Sequence, residues 1–472
     1  MPIVHPLPSG FSVVQAFNRL SHLPGCLWLD AAAPGPSLSP APGTVGRYSF
    51  LCADPVATIR CRLGDRDPWP ELRQWAKRLP ADRRVDLPPF QGGIAGLWGY
   101  EAANWLEPVG HAAGDDLPTP AVSVGLYDWV IAHDSLTGAS WLISQGFRDD
   151  RFVTDLPFAE QRRDHVLKLL DTPCGDQPSA AGVVTQLALQ KSTPRAGVTS
   201  NFTSQQFRAA IDEIIARIRR GDSFQVNLAQ RLLVAATMPS PSLYLRLRQA
   251  NPAPLAGYYD GGDFQVLSSS PEGFLRIRDR SIETRPIKGT VARTGDPQAD
   301  HRAAEWLVAS DKDNAENVMI VDLMRNDLSR VCDDASVVVP QLCQVERYAF
   351  VQHLVSVVRG RLRDGLTAID ALAACFPGGS VTGAPKIEAM RTIAELEPHR
   401  RGPYCGSLGY VSCGGDAEFN ILIRTLTATG GWWQLPVGGG ITARSHSGEE
   451  ERETWVKAEG MLRAIPGVIM PS

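Results

Sequence analysis

The segment ETRPIKGT, residues 283–290, contains a single lysine, Lys288, between Pro-Ile and Gly-Thr. A lysine amine that is held in place can act as a nucleophile towards an electrophilic carbon. Most lysines are instead solvated surface charges, and a charge beside a turn needs no special explanation. Taken alone, the segment favours a surface charge. Whether Lys288 has a chemical role depends on the rest of the chain.

Two acidic segments could bind a metal ion. Glu316 lies in DNAENVMIVDLMRND, and Glu453 lies one helical turn before Lys457 in HSGEEERETWVKAEGML. A lone helical glutamate is usually solvated, but glutamates from two distant helices could bind Mg²⁺, which keeps water ligands and accepts a substrate oxygen. For Glu450 and Glu451, in the same acidic run, a solvated helix face is the favoured interpretation.

Two further side chains suit an anionic substrate. Arg424 in FNILIRTLT is predicted to lie on an alternating strand with apolar neighbours, where an unpaired guanidinium would be costly. Such an arginine often binds a carboxylate of the substrate or of the protein. His353 in FVQHLVSVV also lies in an apolar run, where a hydrogen-bonded core histidine is the more common case.

Two glycine-containing segments could approach a ligand closely. CFPGGSVTGAPKIEAM predicts a loop that enters a helix near residues 384–385, and the first N–H groups of a helix can bind an anion. The spacing is not that of a nucleotide-binding Walker A loop. Gly438–Gly440 in LPVGGGITARSH indicates either close backbone approach to another group or a surface turn.

The elements that must position these residues follow from apolar periodicity. Thr203 or Ser204 is a possible N-cap for a helix whose apolar face comprises Phe207, Ile211, Ile214, Ile215 and Ile218. Residues 300–327 predict one long helix or two shorter ones. Alternation predicts strands over residues 223–235, 264–270 and 273–287. Because strands come in runs, the fold class is α+β rather than a doubly wound sheet.

The chain divides at a stretch rich in small and turn-forming residues. This gives an N-terminal region over residues 1–171, a linker or excursion over 172–200, and a C-terminal region over 201–465 that carries the segments described above. No internal repeat is evident.

Composition excludes several classes of function. The 472 residues are 43% hydrophobic and 21% charged, with a formal net charge of -4, which gives no reason to expect a nucleic acid partner. The N-terminus lacks a signal peptide pattern, and no apolar run is long enough to span a membrane. The nine cysteines form no C-x-x-C pair. We therefore expect a cytoplasmic protein without a membrane or nucleic acid partner.

Taken together, the segments resemble the chorismate-utilising enzymes, which include anthranilate, aminodeoxychorismate, isochorismate and salicylate synthases. The similar segments run in family order and read SPEGF, ETRPIKGT, AENVMIVDLMRNDLSRV, GGSVTGAPKIEAM, ELEPHRRGPYCGSLGYVS, IRTLT, GGGITARS and EERETWVKAEGML. The N-terminal half is similar in patches such as GRYSFLCADP and GGIAGLWGYE. The resemblance implies a single interwoven fold with a two-sheet β-sandwich core and outer helices, and it implies chorismate and Mg²⁺ as ligands.

The resemblance also implies a role for individual residues. Glu316 and Glu453 match the metal ligands, and Glu272 matches the acid that helps the C4 hydroxyl of chorismate to leave. The matching substrate-binding positions are Ser380, Tyr404, Arg424, Gly438, Gly439, Gly440, His353 and Lys457.

Two positions separate the branches of the family. Isochorismate and salicylate synthases carry a lysine base that activates water where this chain has Gln225, and an amide cannot take a proton at neutral pH. Anthranilate synthases carry Ala where this chain has Lys288, whereas aminodeoxychorismate synthases carry Lys. The resemblance therefore implies component I of the aminodeoxychorismate synthase branch, in which the lysine adds to chorismate and ammonia then aminates C4. The alternatives are the anthranilate synthase branch and a non-catalytic chorismate-binding subunit.

The expected partner is a second protein. No cysteine lies in a glycine-rich elbow with a plausible His–Glu partner set, as a glutaminase requires, so the resemblance implies that a separate glutamine amidotransferase subunit supplies ammonia. Asp30 stands where relatives carry a serine in a tryptophan pocket, and we expect no tight tryptophan binding here.

Overall fold

The computed structural model describes residues 2–32, 46–172, 185–347 and 351–468. The predicted linker, residues 172–200, therefore lies partly outside the described residues. Its described part includes two short strands that join a sheet, as set out below.

The structure describes 23 β-strands. The strands are β1 Ile3–Pro6, β2 Leu27–Asp30, β3 Tyr48–Cys52, β4 Ala57–Cys61, β5 Gly93–Trp98, β6 Val122–Tyr127, β7 Trp129–Asp134, β8 Ser140–Ser144, β9 Lys191–Ser192, β10 Thr199–Ser200, β11 Gln225–Ala235, β12 Ala256–Asp260, β13 Phe264–Ser268, β14 Gly273–Arg278, β15 Ser281–Thr284, β16 Ile287–Ala292, β17 Val338–Arg347, β18 Val351–Arg361, β19 Gly383–Ala384, β20 Ser407–Ser412, β21 Ala417–Asn420, β22 Thr425–Thr429 and β23 Trp432–Thr442.

Ten α-helices are described alongside them, with two short 3-10 helices at Tyr100–Trp105 and Gly379–Val381. The α-helices are α1 Val13–Leu20, α2 Trp69–Arg78, α3 Leu156–Asp171, α4 Ser204–Arg220, α5 Ser240–Ala250, α6 Pro297–Val308, α7 Asp311–Ser329, α8 Ala368–Cys375, α9 Lys386–Leu396 and α10 Ser447–Leu462.

The strands form two antiparallel sheets that mix both halves of the chain. The 13-stranded sheet has the order β1-β8-β7-β3-β2-β12-β13-β22-β23-β11-β10-β9, with β19 also pairing with β11. The 10-stranded sheet has the order β16-β18-β15-β14-β21-β20-β5-β6-β4, with β17 also pairing with β18. N-terminal strands meet C-terminal strands at β2–β12 in the first sheet and at β5–β20 in the second. The expected α+β interwoven fold is confirmed.

Three apolar clusters show that the sheets stack and that helices cover their outer faces. One cluster lies between the sheets and combines side chains of both, such as Phe50 and Phe264 with Leu408 and Tyr410. A second packs the 10-stranded sheet against α2, α7 and α8. A third packs the 13-stranded sheet against α1, α3, α5 and α10. Burial of these apolar faces on both sides of each sheet is the main force that holds the sandwich together.

Local sequence signals explain where the site helices begin and end. Thr203 and Gln206 form a capping box at the start of α4, and Gly221 ends the helix with φ +93°, a left-handed conformation that glycine adopts without strain. The predicted apolar face of α4 is buried as expected. Residues 300–327 form two helices rather than one, because Ser310 caps a new helix by accepting a hydrogen bond from Asp313 N–H.

One prediction about the site strands is wrong. Arg424 lies not on a strand but immediately before β22, with φ +52°. The apolar neighbours that suggested alternation, Ile421 and Leu422, are buried in an irregular segment. Leu422 packs between the sheets, and Ile421 packs in the cluster that joins the 10-stranded sheet to α2, α7 and α8.

Candidate active site

Lys288 and Glu316 face each other across a strand and a helix. Lys288 lies on β16, which pairs with β18, and Glu316 lies on α7. The next residue of α7, Asn317, is fully buried and donates from its amide to the Leu354 carbonyl of β18 at 3.2 Å. This hydrogen bond fixes α7 against the sheet, so the relative position of the amine and the carboxylate is set by buried structure.

Lys288 and Glu316 form an ion pair whose charged atoms are too far apart for a hydrogen bond. Lys288 Nζ lies 3.9 Å from Glu316 Oε2, and each side chain is only about one-sixth exposed. Burial raises the pKa of Glu316, while the ammonium groups of Lys288 and Lys312 oppose that shift. Glu316 Oε1 is buried and has no hydrogen-bond partner among the described residues. A buried carboxylate oxygen that accepts no hydrogen bond is suited to bind a cation.

A second pair projects from α10 towards β23. Glu453 Oε1 lies 2.7 Å from Lys457 Nζ, and that amine also donates to the Gly438 carbonyl at 2.8 Å. Burial acts to raise the pKa of Glu453, but Lys457, Lys312 and Lys288 outweigh it and leave the pKa lowered. Glu453 therefore stays ionised, as a metal or cation ligand requires.

The acidic run contains a functional candidate that the sequence interpretation missed. Glu450 and Glu451 are 6% and 9% exposed, so the predicted solvated face is wrong. Glu451 accepts a hydrogen bond from Ser204 and joins α10 to α4. Glu450 Oε1 accepts from Ser445 at 2.6 Å and lies 4.0 Å from Lys312 Nζ. The available signal was spacing, because Glu450 stands three residues before Glu453 and shares its helix face.

Gly439 marks the floor beneath these charges. A Cβ at Gly439 would lie 3.3 Å from Lys457 Nζ, 3.5 Å from Glu450 Oε2 and 3.9 Å from Glu453 Oε1. Backbone of β23 therefore lies directly beneath Glu450, Glu453 and Lys457, which with Lys288 and Glu316 form the charged cluster. This is the close backbone approach that was one of the two interpretations of the glycine run. A glycine here leaves space that any other side chain would fill.

Glu272 completes the cluster from the segment before β14. It is buried, and burial raises its pKa, while the Ser380 hydroxyl and the ammonium groups of Lys288 and Lys457 oppose the shift. Ser380 belongs to the 3-10 helix that precedes α9. A carboxyl group with a raised pKa, close to a lysine amine, can hold a proton and donate it to a leaving group.

Arg424 and Tyr404 lie on the same side of the cluster. Arg424 Nη1 donates to the Lys457 carbonyl at 3.0 Å. Burial lowers the pKa of Arg424, and the neighbouring Tyr404 and Glu453 oppose that shift. The left-handed backbone of Arg424 costs energy in a non-glycine residue, and such strain is common at functional sites.

Gln225 has an unusual environment for an amide. It lies at the start of β11, fully buried, and neither its oxygen nor its nitrogen has a hydrogen-bond partner among the described residues. A Cβ at Gly440 would lie 2.5 Å from Gln225 Nε2, so the amide packs directly over the glycine run. Buried amides usually find hydrogen-bond partners, so an amide without one is an unusual feature of β11.

His353 lies beside the cluster, and the structure shows it bonded elsewhere. Its Nδ1 is 2.8 Å from the Thr290 hydroxyl on the neighbouring strand. Burial lowers the pKa of His353 to about 4, against the opposing effects of Glu346 and the Gly289 backbone. The ring is neutral at pH 7, and its predicted role near the substrate stays a prediction.

The carboxylates fit a cation that is completed by other ligands. Within residues 2–32, 46–172, 185–347 and 351–468, no group of three His, Cys, Asp or Glu side chains is placed to hold a metal ion. Mg²⁺ is commonly held by one or two carboxylates together with water and substrate oxygens. The orphaned oxygen of Glu316 and the ionised Glu453 meet that description.

Comparison with known proteins identifies the family. Residues 26–463 match the family described as chorismate binding enzyme. The chain belongs to this family. Aminodeoxychorismate synthase component 1 of Salmonella typhimurium is 37% identical over 463 residues, which cover 95% of each chain. Anthranilate synthase component 1 of Thermus thermophilus is 38% identical over 426 residues, which cover 90% of this chain and 88% of the relative.

Two solved structures of other proteins have the same fold. Anthranilate synthase component I from Streptococcus pneumoniae superposes with a TM-score of 0.76 at 31% identity, covering 90% of this chain and 94% of that one. The menaquinone-specific isochorismate synthase of Escherichia coli has a TM-score of 0.71 at 22% identity, covering 98% of this chain and 94% of that one.

Family membership makes the protein an enzyme that acts on chorismate. Relatives from two branches are equally similar, so the branch must be argued from the site. None of the helices in the described part of the chain is both long and apolar enough to cross a membrane.

Proposed function

We propose that this protein is component I of an aminodeoxychorismate synthase, which converts chorismate and ammonia into 4-amino-4-deoxychorismate. The observation that carries the proposal is the position of Lys288. Its amine lies 3.9 Å from Glu316, and its charge affects the pKa of both Glu272 and Glu453. Lys288 is therefore part of the charged cluster and not a solvated surface residue.

The proposed reaction uses two substitutions that exchange bonds. The lone pair of the Lys288 amine forms a bond to C2 of chorismate, both conjugated ring double bonds shift by one position, and the C4–O bond breaks. Glu272 gives its proton to the departing hydroxyl, which leaves as water. Ammonia then forms a bond to C4, both double bonds shift back, the C2–N bond to Lys288 breaks, and the ammonium group formed at C4 returns a proton to Glu272. Covalent catalysis of this kind divides one difficult substitution into two easier steps.

Other side chains would bind and orient the substrate. Arg424 and Lys457 supply cationic donors for the chorismate carboxylates, and the β23 glycines allow the ligand to approach the backbone. Glu316 and Glu453 would hold a Mg²⁺ ion, which supplies positive charge for a substrate carboxylate when bound. Gln225 offers an amide where a base would be needed to activate water, so attack by ammonia is favoured over attack by water.

The test is a product analysis with substitutions at Lys288. Purified protein is incubated with chorismate, magnesium and ammonium, and the products are identified by mass. We expect 4-amino-4-deoxychorismate from the wild type and a decrease of at least about a hundredfold for Lys288→Ala, the scale of losing one group that acts in the transition state. Lys288→Arg is the matched control, because it keeps the positive charge but cannot act as a nucleophile.

The outcomes separate the possible roles of the lysine. Loss of activity in both variants, with a trapped adduct on wild-type Lys288, supports the covalent role. Activity retained by Lys288→Arg indicates a purely electrostatic role, and activity retained by Lys288→Ala contradicts any essential role. Release of anthranilate by the wild type instead places the protein in the anthranilate synthase branch.

We also propose that ammonia comes from a separate glutamine amidotransferase subunit. The relatives are named component 1, which supports a second component in the complex. With this chain alone, ammonium should support amination and glutamine should not. Amination from glutamine by the purified chain would contradict the proposed division of labour.

A further inference from the structure

The segment from Arg401 to Tyr404 follows α9 and is held by residues of the N-terminal half. Glu101, in the 3-10 helix Tyr100–Trp105, accepts hydrogen bonds with both carboxylate oxygens. Oε1 accepts from Arg401 N–H at 2.8 Å, and Oε2 accepts from Gly402 N–H at 2.9 Å. The Tyr100 N–H donates to the Gly402 carbonyl at 2.8 Å. The Arg401–Gly402 backbone is therefore fixed by three hydrogen bonds from one N-terminal motif.

The Arg401 side chain connects this segment to two elements of the candidate active site. Its guanidinium forms a buried, bidentate pair with Glu397, at 2.9 and 2.6 Å. It also donates to the Val381 carbonyl at 2.9 Å and to the Asn227 carbonyl at 3.1 Å. Val381 directly follows Ser380, and Asn227 lies on β11 two residues after the buried amide of Gln225. A shift of Arg401 would therefore move both elements.

Tyr404 is linked to the same arginine. The Arg401 guanidinium carbon lies 4.7 Å from the ring centre of Tyr100 and 5.7 Å from that of Tyr404. Such cation–π contacts favour a defined ring position. The N-terminal motif, Arg401 and two of the substrate-binding candidates thus form one connected structure.

We propose that Glu101 is a positioning residue for chorismate binding, which holds Arg401 and Gly402 and thereby sets the positions of Ser380 and Tyr404. The inference rests on the proposed placement of these two residues at the substrate, and not on which carbon is aminated. Glu101 itself does not touch the reacting atoms. Its action passes through the backbone that it binds.

The electrostatic setting of Glu101 makes this role depend on pH. Burial raises the pKa of Glu101 to about 7, against the opposing effects of the Arg401 and Gly402 N–H groups and of Arg400. Other titratable and charged groups surround Glu101. They lie on its own helix, on the segment after α9 and on the walls of the two adjoining small cavities: Tyr100, His111, Glu397, His399, Arg400, Arg401, Arg62 and Asp115. Above pH 7 both carboxylate oxygens accept hydrogen bonds, whereas below it one oxygen becomes a hydroxyl and its bond weakens.

Protonation of Glu101 affects the stability of the fold and the affinity for chorismate in opposite directions. Because the pKa of Glu101 in the folded protein, about 7, lies above its usual 4.5, the folded state binds the proton more tightly. Its contribution to the free energy of unfolding is therefore greatest at low pH and decreases as pH rises to about 7. Chorismate affinity should increase over the same range. A loss of affinity at low pH would thus not follow from a loss of stability.

The test measures the Kd for chorismate by calorimetry, with magnesium present, below and above pH 7. We expect the wild type to bind more tightly above pH 7. Glu101→Gln should weaken binding roughly tenfold above pH 7, the scale of one hydrogen bond to a charged group, and should lose this pH dependence. Glu101→Asp, which keeps a carboxylate, should restore the pH dependence and part of the affinity.

Asp128→Asn provides the matched control. Asp128 is also a buried carboxylate of the N-terminal half with a pKa raised by burial, but its carboxylate accepts from Arg162 Nε at 3.0 Å and, among the described residues, from no residue of the candidate active site. This variant should lower the midpoint of thermal unfolding and leave the Kd and its pH dependence unchanged.

Two results would overturn the inference: wild-type affinity and pH dependence in Glu101→Gln, or equal loss of affinity in Asp128→Asn. Because the test measures chorismate binding, the inference about Glu101 can still be tested if the aminated product differs from the proposed one.

Discussion

Two adjacent glycines of β23 should respond in opposite ways to the same substitution. At Gly439, an added Cβ meets only the ends of side chains, with Lys457 Nζ at 3.3 Å and Glu450 Oε2 at 3.5 Å. At Gly438, it meets backbone of the paired strand β11, 2.3 Å from the Leu228 carbonyl oxygen and 2.8 Å from the Ala229 Cα. Flexible side chains can move aside at little cost, but strand backbone cannot. Gly439→Ala should therefore affect the site, and Gly438→Ala should affect the fold.

The magnitudes follow from what each methyl group displaces. A methyl group at Gly439 takes the space beside the Lys457 amine, and an amine that moves aside loses the hydrogen bond that we propose it makes to a chorismate carboxylate. A hydrogen bond to a charged group contributes about 1.5–3 kcal/mol, which corresponds to roughly a ten- to hundredfold change in affinity. At Gly438 the two strands must separate, and overpacking of this kind lowers the free energy of unfolding by about 1–3 kcal/mol.

Both quantities can be measured on the purified variants. Calorimetry gives the Kd for chorismate in the presence of magnesium, and thermal unfolding gives the midpoint. Gly439→Ala should unfold close to the wild-type temperature and bind chorismate at least about tenfold more weakly. Gly438→Ala should unfold at a clearly lower temperature. Wild-type affinity in Gly439→Ala, or equal destabilisation in both variants, would refute the assignment of Gly439 to the floor of the site.

Two further predictions concern ligands. Asp30 lines a cavity of about 470 Å³ between the sheets, but its carboxylate is already bound by Arg248 Nε at 2.6 Å and Tyr244 at 3.0 Å, so we expect calorimetry to show no tight tryptophan binding. Tight binding would contradict this expectation. Glu316→Gln should weaken Mg²⁺ binding at least about tenfold in a titration without substrate, because an amide oxygen carries no charge for the cation, and an unchanged Mg²⁺ affinity would exclude Glu316 as a ligand.

Elements governed by local signals could be predicted from the sequence. The helix α4 has its predicted N-cap and its predicted buried face because capping and helical periodicity act within a few residues. The strand predicted over 223–235 is observed as Gln225–Ala235, because the alternation that predicted it is also a local signal. The segment 273–287 is observed as β14, β15 and the start of β16, so the alternation was correct but the turn at Asp279 and Arg280, both with positive φ, was not anticipated.

Features that depend on packing between distant segments could not be predicted in this way. Glu450 reads as one of several exposed acids, and only the approach of α10 to β23 buries it beside Lys312. Arg424 reads as a strand residue, but its segment is irregular and its guanidinium donates to the Lys457 carbonyl of α10. Glu101 carries no local signal at all, because its partners lie 300 and 301 residues further along the chain. In each case the deciding contact is between elements far apart in sequence.

The interwoven sheets explain why the N-terminal half matters to a site built from C-terminal residues. The strands β22, β23 and β11 continue through β13 and β12 into β2 and β3, so strands from both halves of the chain form one hydrogen-bonded sheet beneath Gly439. The second sheet likewise continues from β14 through β20 into β5, and residues just after β5 bind the Arg401 segment. A strand at the junction that lost its neighbour would expose unpaired N–H and C=O groups along its length. The N-terminal strands are therefore part of the framework that fixes the distance between Lys288, Glu316 and Glu453, and a functional account of the site must include them.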